Sequence, residues 1–134
     1  MCLKKIAEKN FGTFKILFTS MEFYYYKAKL DRVIDGDTID AMIDLGFDTW
    51  VHKRIRLFGI NCPETRTKDL EEKAKGLRSK DFLKDLFIET GGSFVLQSLG
   101  VGKYGRCLGK IYINNININE LLLKEGHALP YMEK

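Results

Sequence analysis

The stretch VIDGDTIDAMIDL, Val33 to Leu45, decides the reading of the fold. An Asp-Gly pair between alternating apolar runs is a hairpin signal, and Asp35-Gly36 supplies it. Upstream, YYYKAKLDRVI (Tyr24–Ile34) is rich in aromatic and β-branched residues and reads as a strand. Downstream, Ile39, Ala41, Ile43 and Leu45 alternate with Thr38, Asp40, Met42 and Asp44, the period of a half-buried strand. A turn accounts for Asp35. It does not account for Asp37, a surplus carboxylate at the first step of the second strand, while Asp40 falls on the outward polar face.

Working outward, WVHKRIRLFGI (Trp50–Ile60) is a third strand after a GFDT turn. The segment from Thr65 to Gly92 is helical, with Leu70, Ala74, Leu77, Phe82 and Leu86 as its apolar stripe and Gly91-Gly92 as its stop. SFVLQSLG and RCLGKIYI are two further strands around the glycine-spaced GVGKYG. NNININELLLKEG closes with a short helix, capped by Asn117 with Glu120 and ended by Gly126. Three strands, a helix, two strands and a short helix are the elements of a five-stranded OB-type barrel, mainly β with two helices.

Composition sets the class. A chain of 134 residues, 45% hydrophobic and 30% charged, is an ordinary single globular domain. Residues 24–134 read as that domain, and residues 1–23 as an extension with no assignable structure. No apolar run approaches the roughly 20 residues that span a membrane. FKILF near the N-terminus is too short for a signal core. Three cysteines without metal-type spacing argue against a disulfide framework and for a reducing, cytoplasmic setting. The net charge of +4 is mild, but no acid occurs between Gly91 and Asn119, where Lys103, Arg106 and Lys110 fall.

Several residues carry possible chemistry. Arg56 shares its strand face with Phe58 and Ile60: a surface arginine on an edge strand, or, as two apolar neighbours suggest, one on a covered face, where a guanidinium needs a carboxylate or phosphate. Glu64 follows the stiff Pro63 turn beyond the strand end: a solvated loop acid, or a general base held in place. Lys103 and Arg106 flank Tyr104 in an acid-free loop: a basic hairpin, or a set of phosphate contacts. Each signal is weak alone. Together they supply what in-line attack on a phosphodiester uses: a charge-neutralising ion, two guanidiniums and a carboxylate.

In this order, VIDGDTI, RIRLFGINCPET, KYGR and NELLLKEG resemble the staphylococcal nuclease (thermonuclease) family from about Tyr24 to Tyr131. The resemblance implies an OB barrel that hydrolyses DNA and RNA, usually with calcium. By position, Asp37 would be a metal carboxylate, Arg56 and Arg106 the phosphate-bracing arginines, and Glu64 the acid that activates water. The carbonyl of Cys62 would be a further metal contact. Lys103 and Tyr104 would touch a substrate phosphate, and Tyr131 would lie near the base. Asn61 departs from the pattern, standing where the reference enzyme has a second aspartate ligand. An amide oxygen still coordinates calcium but brings no charge. The expectation is therefore a monomeric calcium-dependent nuclease acting on single-stranded or locally open DNA or RNA. The alternative is an inactive module of the same fold that binds nucleic acid or protein.

Overall fold

A computed structural model describes residues 24–132; the extension 1–23 lies outside the described residues. The strands are β1 (Tyr25–Asp35), β2 (Thr38–Asp44), β3 (Trp50–Leu57), β4 (Ile60–Asn61), β5 (Ser93–Val101), β6 (Cys107–Ile113), β7 (Ile116–Asn117) and β8 (Leu129–Pro130). The helices are α1 (Leu70–Ile88) and α2 (Ile118–Lys124). No helix among the described residues is long and apolar enough to cross a membrane.

Five long strands close into a barrel. β3, β2, β1, β5 and β6 are antiparallel neighbours in that order, and β3 then pairs in parallel with β6, Arg56 opposite Leu108. Closure needs curvature. β1 supplies it through two register breaks, between Leu30 and Arg32 and between Val33 and Asp35, where an extra residue bends the strand. Closure also needs a close approach at Gly109, where a Cβ would stand 2.6 Å from Leu96 Cδ1. The expected OB-type barrel, with one helix after the third strand and a short one after the fifth long strand, is what forms.

Ile39, Ala41 and Ile43 point into the core as their alternation requires, joined by Ile55, Leu57, Leu96 and Ile111. Leu45 does not follow them; it is exposed at the β2–β3 turn, past the end of the strand. Asp40 is not on a solvated face. It is 3% exposed, roofed by two arginine side chains. The turn also moves by one residue. Asp35 pairs with Thr38, so Gly36 and Asp37 form it, and Asp37 is a turn residue rather than the first of β2.

Helix α1 starts where Asp69 accepts from the N–H groups of Glu71 and Glu72. It ends with Gly91 and Gly92, both at positive φ, donating to Ile88 O and Phe87 O. Its buried face differs from the expected stripe. Gly76, Ser79, Leu83 and Phe87 are buried, Phe82 and Leu86 pack at the core edge, and Leu70 and Leu77 are exposed. The N-terminal half lies so close to neighbouring backbone that only small residues fit, so hydrophobicity does not mark the face there. Helix α2 begins as expected, Asn117 Oδ1 accepting from Glu120 N at 3.2 Å, and ends at Gly126 with positive φ.

Asn119 in α2 joins the barrel to its rim. Its Oδ1 accepts from Ile111 N at 3.1 Å, and its Nδ2 donates to Phe58 O at 2.8 Å and Gly109 O at 3.1 Å.

Candidate active site

Asp37 sits at the β1–β2 turn because the turn is wedged against two other segments. A Cβ on Gly36 would lie 2.8 Å from Ser79 Cβ and 2.9 Å from Cys62 Sγ. Glycine is required there by proximity, not by a left-handed φ. The Asp37 carbonyl accepts from Leu57 N, tying the turn to the end of β3. The carboxylate that results is 7% exposed and well provided with donors. Its Oδ2 accepts from Cys62 N at 2.8 Å and its Oδ1 from the Thr38 hydroxyl at 2.9 Å.

Arg56 reaches the same spot from β3. It is 6% exposed, as its covered strand face leads one to expect. Nη1 donates to Leu57 O at 2.9 Å and Nη2 to Asn61 Oδ1 at 3.2 Å, with Asp37 Oδ2 at 3.6 Å from Nη2. The guanidinium also lies 5.6 Å from the ring centroid of Tyr131, a cation–π distance. Tyr131 is placed by its own N–H, which donates to Gly59 O. Five expected site residues therefore meet: Asp37, Arg56, Asn61, Cys62 through its backbone, and Tyr131.

The other expected site residues, Glu64, Lys103, Tyr104 and Arg106, are exposed. Glu64 is exposed, but its backbone is fixed from two sides. A Cβ on Gly76 would stand 2.6 Å from Glu64 O, so α1 presses directly on the Pro63–Glu64 turn. The neighbouring Thr65 hydroxyl donates to Asp35 Oδ1, binding this turn to the β1–β2 hairpin. Lys103 and Tyr104 lie in a short 3-10 turn with Tyr104 at φ 61°, and both are exposed. Arg106 is exposed too, and its carbonyl accepts from Gly102 N at 2.7 Å. The residue after it, Cys107, pairs with Ile55, so the loop stands one strand away from Arg56.

Gly36, Gly76, Ser79, Thr65 and Asp35 shape the site and were not marked as site residues by sequence. An Asp-Gly turn accounts for the first and last. Nothing in the local pattern flags a small residue on a helix as a backbone contact.

The donor set can be tested against a metal. Burial, and then the Asp37 carboxylate, push the Cys62 thiol up to about 12, so it stays protonated and is no thiolate ligand. What the residues offer is oxygen: the Asp37 carboxylate, the Asn61 amide and the Cys62 carbonyl. Among the described residues Asp37 Oδ1 receives the Thr38 hydroxyl alone, which leaves it a lone pair. Such a set fits a hard divalent ion such as calcium, with water completing the shell. Asp31, Asp40 and His52 also bring ligand atoms within 4.8 Å of one another on the outer face of the barrel. There, however, three guanidinium N–H groups already occupy the Asp40 oxygens.

A closed five-stranded barrel that carries a buried arginine–carboxylate junction defines an OB-type protein. The chain belongs to the staphylococcal nuclease family: residues 54–134 match the family described as staphylococcal nuclease homologue. It is 32% identical to a thermonuclease of Staphylococcus intermedius, over 87% of this chain and 66% of that one. It is 33% identical to an uncharacterized protein of Methanocaldococcus jannaschii, over 81% of this chain and 60% of that one. It is also 30% identical to the Bacillus subtilis endonuclease YhcR, over 79% of this chain but 9% of that much longer protein. The chain thus spans about half to two thirds of the first curated relatives it matches.

Proposed function

We propose that residues 24–134 form a divalent-metal-dependent nuclease domain that hydrolyses phosphodiester bonds of DNA, RNA or both. The observation that carries the reading is the buried Arg56 guanidinium held between Asp37 and Asn61. A barrel of this kind does not need a buried charge pair at its rim, and burying one is costly. The names of the relatives, thermonuclease and endonuclease, point the same way.

In this reading Asp37, Asn61 and the Cys62 carbonyl would hold a calcium ion, which would supply positive charge against that of the phosphate. Arg56 exchanges its neutral Asn61 contact for a phosphate oxygen. Arg106, on its exposed loop, approaches the same phosphate from the next strand. Two guanidiniums then brace the charge that builds as water attacks. Glu64 takes the water's proton, its turn held by Pro63, Gly76 and the Thr65–Asp35 bond. Lys103 and Tyr104 contact a neighbouring phosphate, and Tyr131, behind Arg56, orients the guanidinium as well as facing the base. A monomer suffices, because every residue used comes from one chain.

Asn61 favours a second reading, a binding module that has lost catalysis, because the metal shell then has one charged ligand. One experiment separates the two. The full chain is incubated with single-stranded DNA and RNA in calcium, magnesium, manganese or EDTA. Cleavage that needs an ion and falls sharply in Glu64→Gln and Arg106→Ala is expected. Binding without cleavage under any ion overturns the nuclease reading, and cleavage unaffected by both substitutions overturns the site.

A further inference from the structure

The outer face of β1–β2–β3 carries a row of side chains that the site does not use. Along β3, Trp50, His52, Arg54 and Arg56 occupy alternate positions and share one face. Only Arg56 belongs to the junction. Arg54 lies two residues away, about 7 Å along the strand. Across the sheet it pairs with Asp40, and Asp40 pairs with Arg32.

The Arg32–Asp40–Arg54 cluster is tied together by three hydrogen bonds. Asp40 Oδ1 accepts from Arg54 Nε at 2.8 Å, and its Oδ2 accepts from Arg54 Nη2 at 3.1 Å and Arg32 Nε at 3.0 Å. The Asp40 carboxylate is buried, whereas the arginine side chains are 62% and 55% exposed for Arg32 and Arg54. Two cations meet two anions here, since Asp31 brings a carboxylate oxygen within 4.8 Å of that of Asp40, and Lys27 and Lys29, which line the next part of the face with Asp44, tip the face as a whole to positive. Arg54 spends Nε and Nη2 on Asp40 and Arg32 spends Nε, which leaves Arg54 Nη1 and the terminal nitrogens of Arg32 as donors suited to phosphate. The nearby acids are engaged locally: Asp31 pairs with His52, and Asp44 Oδ1 accepts from Gly46 N.

Past this cluster the face turns aromatic. Trp50 lines a cleft of about 950 Å³ together with Tyr25, Tyr112, Lys27 and Lys29. Tyr25 and Tyr112 stand 6.2 Å apart, ring to ring. Fixed cations followed by aromatic faces are the means by which single strands are held without regard to sequence.

We propose that this face is a second nucleic-acid surface, on which Arg32 and Arg54 take phosphates of a single strand next to the one at Arg56, and Trp50 stacks a base farther along. This rests on the nuclease reading for its direction, since the strand runs away from the Arg56 junction. A duplex would present its bases to one another and leave Trp50 without a partner, so a single strand is the class of ligand specified.

The test uses the full chain in EDTA, which prevents cleavage, with a labelled twelve-nucleotide oligothymidylate. Trp50 is the only tryptophan in the chain, so its emission reports on this face directly. Quenching of Trp50 emission in step with anisotropy is expected. The Arg32→Ala/Arg54→Ala protein should bind more weakly, with the slope of log affinity against log salt smaller by about 1 to 1.5. Trp50→Ala should cost about tenfold in affinity with the slope unchanged, since stacking carries no charge. If the double variant does not fold, Arg32→Ala alone decides, because Arg54 keeps its two bonds to Asp40; Arg32→Lys should retain the slope. Binding with no change in Trp50 emission, or with an unchanged slope in the arginine variants, overturns the surface. A protein that cleaves normally yet fails these tests loses only this proposal. One that passes them but cleaves nothing loses only the nuclease reading.

Discussion

Nη2 of Arg56 lies 3.2 Å from Asn61 Oδ1 and 3.6 Å from Asp37 Oδ2, so one nitrogen joins the Asp37 carboxylate to the Asn61 amide. Asn61→Asp would place a second carboxylate on that nitrogen and in the oxygen donor set. Affinity for calcium rises with the number of charged ligands. The expected result is a half-saturating calcium concentration lower by on the order of tenfold. A larger calcium-induced rise in melting temperature should accompany it. Identical calcium titrations for both proteins would place residue 61 outside the metal shell.

Gly76 is a helix-interior glycine, where alanine ordinarily stabilises by about 1 kcal/mol. Here the added methyl would meet Glu64 O at 2.6 Å and Pro63 O at 2.8 Å. Gly76→Ala should therefore destabilise by about 1–3 kcal/mol and displace the glutamate turn. Leu77→Ala, one residue on and exposed, should stay within about 0.5 kcal/mol. Denaturant melts check both. Cleavage by Gly76→Ala under conditions where it is folded should be reduced, because the displaced backbone carries Glu64.

Asn119 answers three main-chain groups with one amide. Asn119→Ala leaves Ile111 N–H, Phe58 O and Gly109 O without that partner. Gly109 O keeps the Phe58 N–H at 2.9 Å, so two groups lose their partner, and at about 1–3 kcal/mol for each a loss of roughly 2 kcal/mol or more is expected. A melt within about 0.5 kcal/mol of the unaltered protein would mean that water replaces the amide.

Asp40 gives a pH dependence with a definite sign. Hydrogen bonding from Arg54 is the main cause that lowers it from 3.8 to about 2, with burial opposing and Arg32 assisting. A carboxyl lowered in the folded state stabilises above its unfolded value and loses that contribution as pH falls through the folded one. The stability difference between the unaltered protein and Asp40→Asn should be constant above about pH 4 and shrink between about 4 and 2. Thermal melts across that range measure it. A difference that does not change there would show that the arginines do not hold the ionised form.

Where the sequence is legible, it is so through local pattern. The alternation at Ile39, Ala41 and Ile43 and the glycines after α1 mark their elements directly, because burial and turn conformation act on neighbouring residues. Leu45 breaks from its pattern because the strand has ended. The true buried face of α1 is hidden because Gly76 and Ser79 are chosen for lack of bulk, against a turn twelve or more residues earlier. Asp40 reads as an outward polar residue because the arginines that bury it come from two other strands.

The same division holds at the rim. Sequence alone marked Asp37 as a carboxylate that an Asp35-Gly36 turn leaves over, and the apolar neighbours of Arg56 as a sign that its charge needs a partner. Which partner was decided only by tertiary structure. Closing β3 onto β6 and pressing α1 against the Pro63–Glu64 turn brings residues 37, 56, 61 and 131 to one point. A charge buried at that point is stabilised only by groups that meet it in space, and no spacing along the chain encodes that meeting.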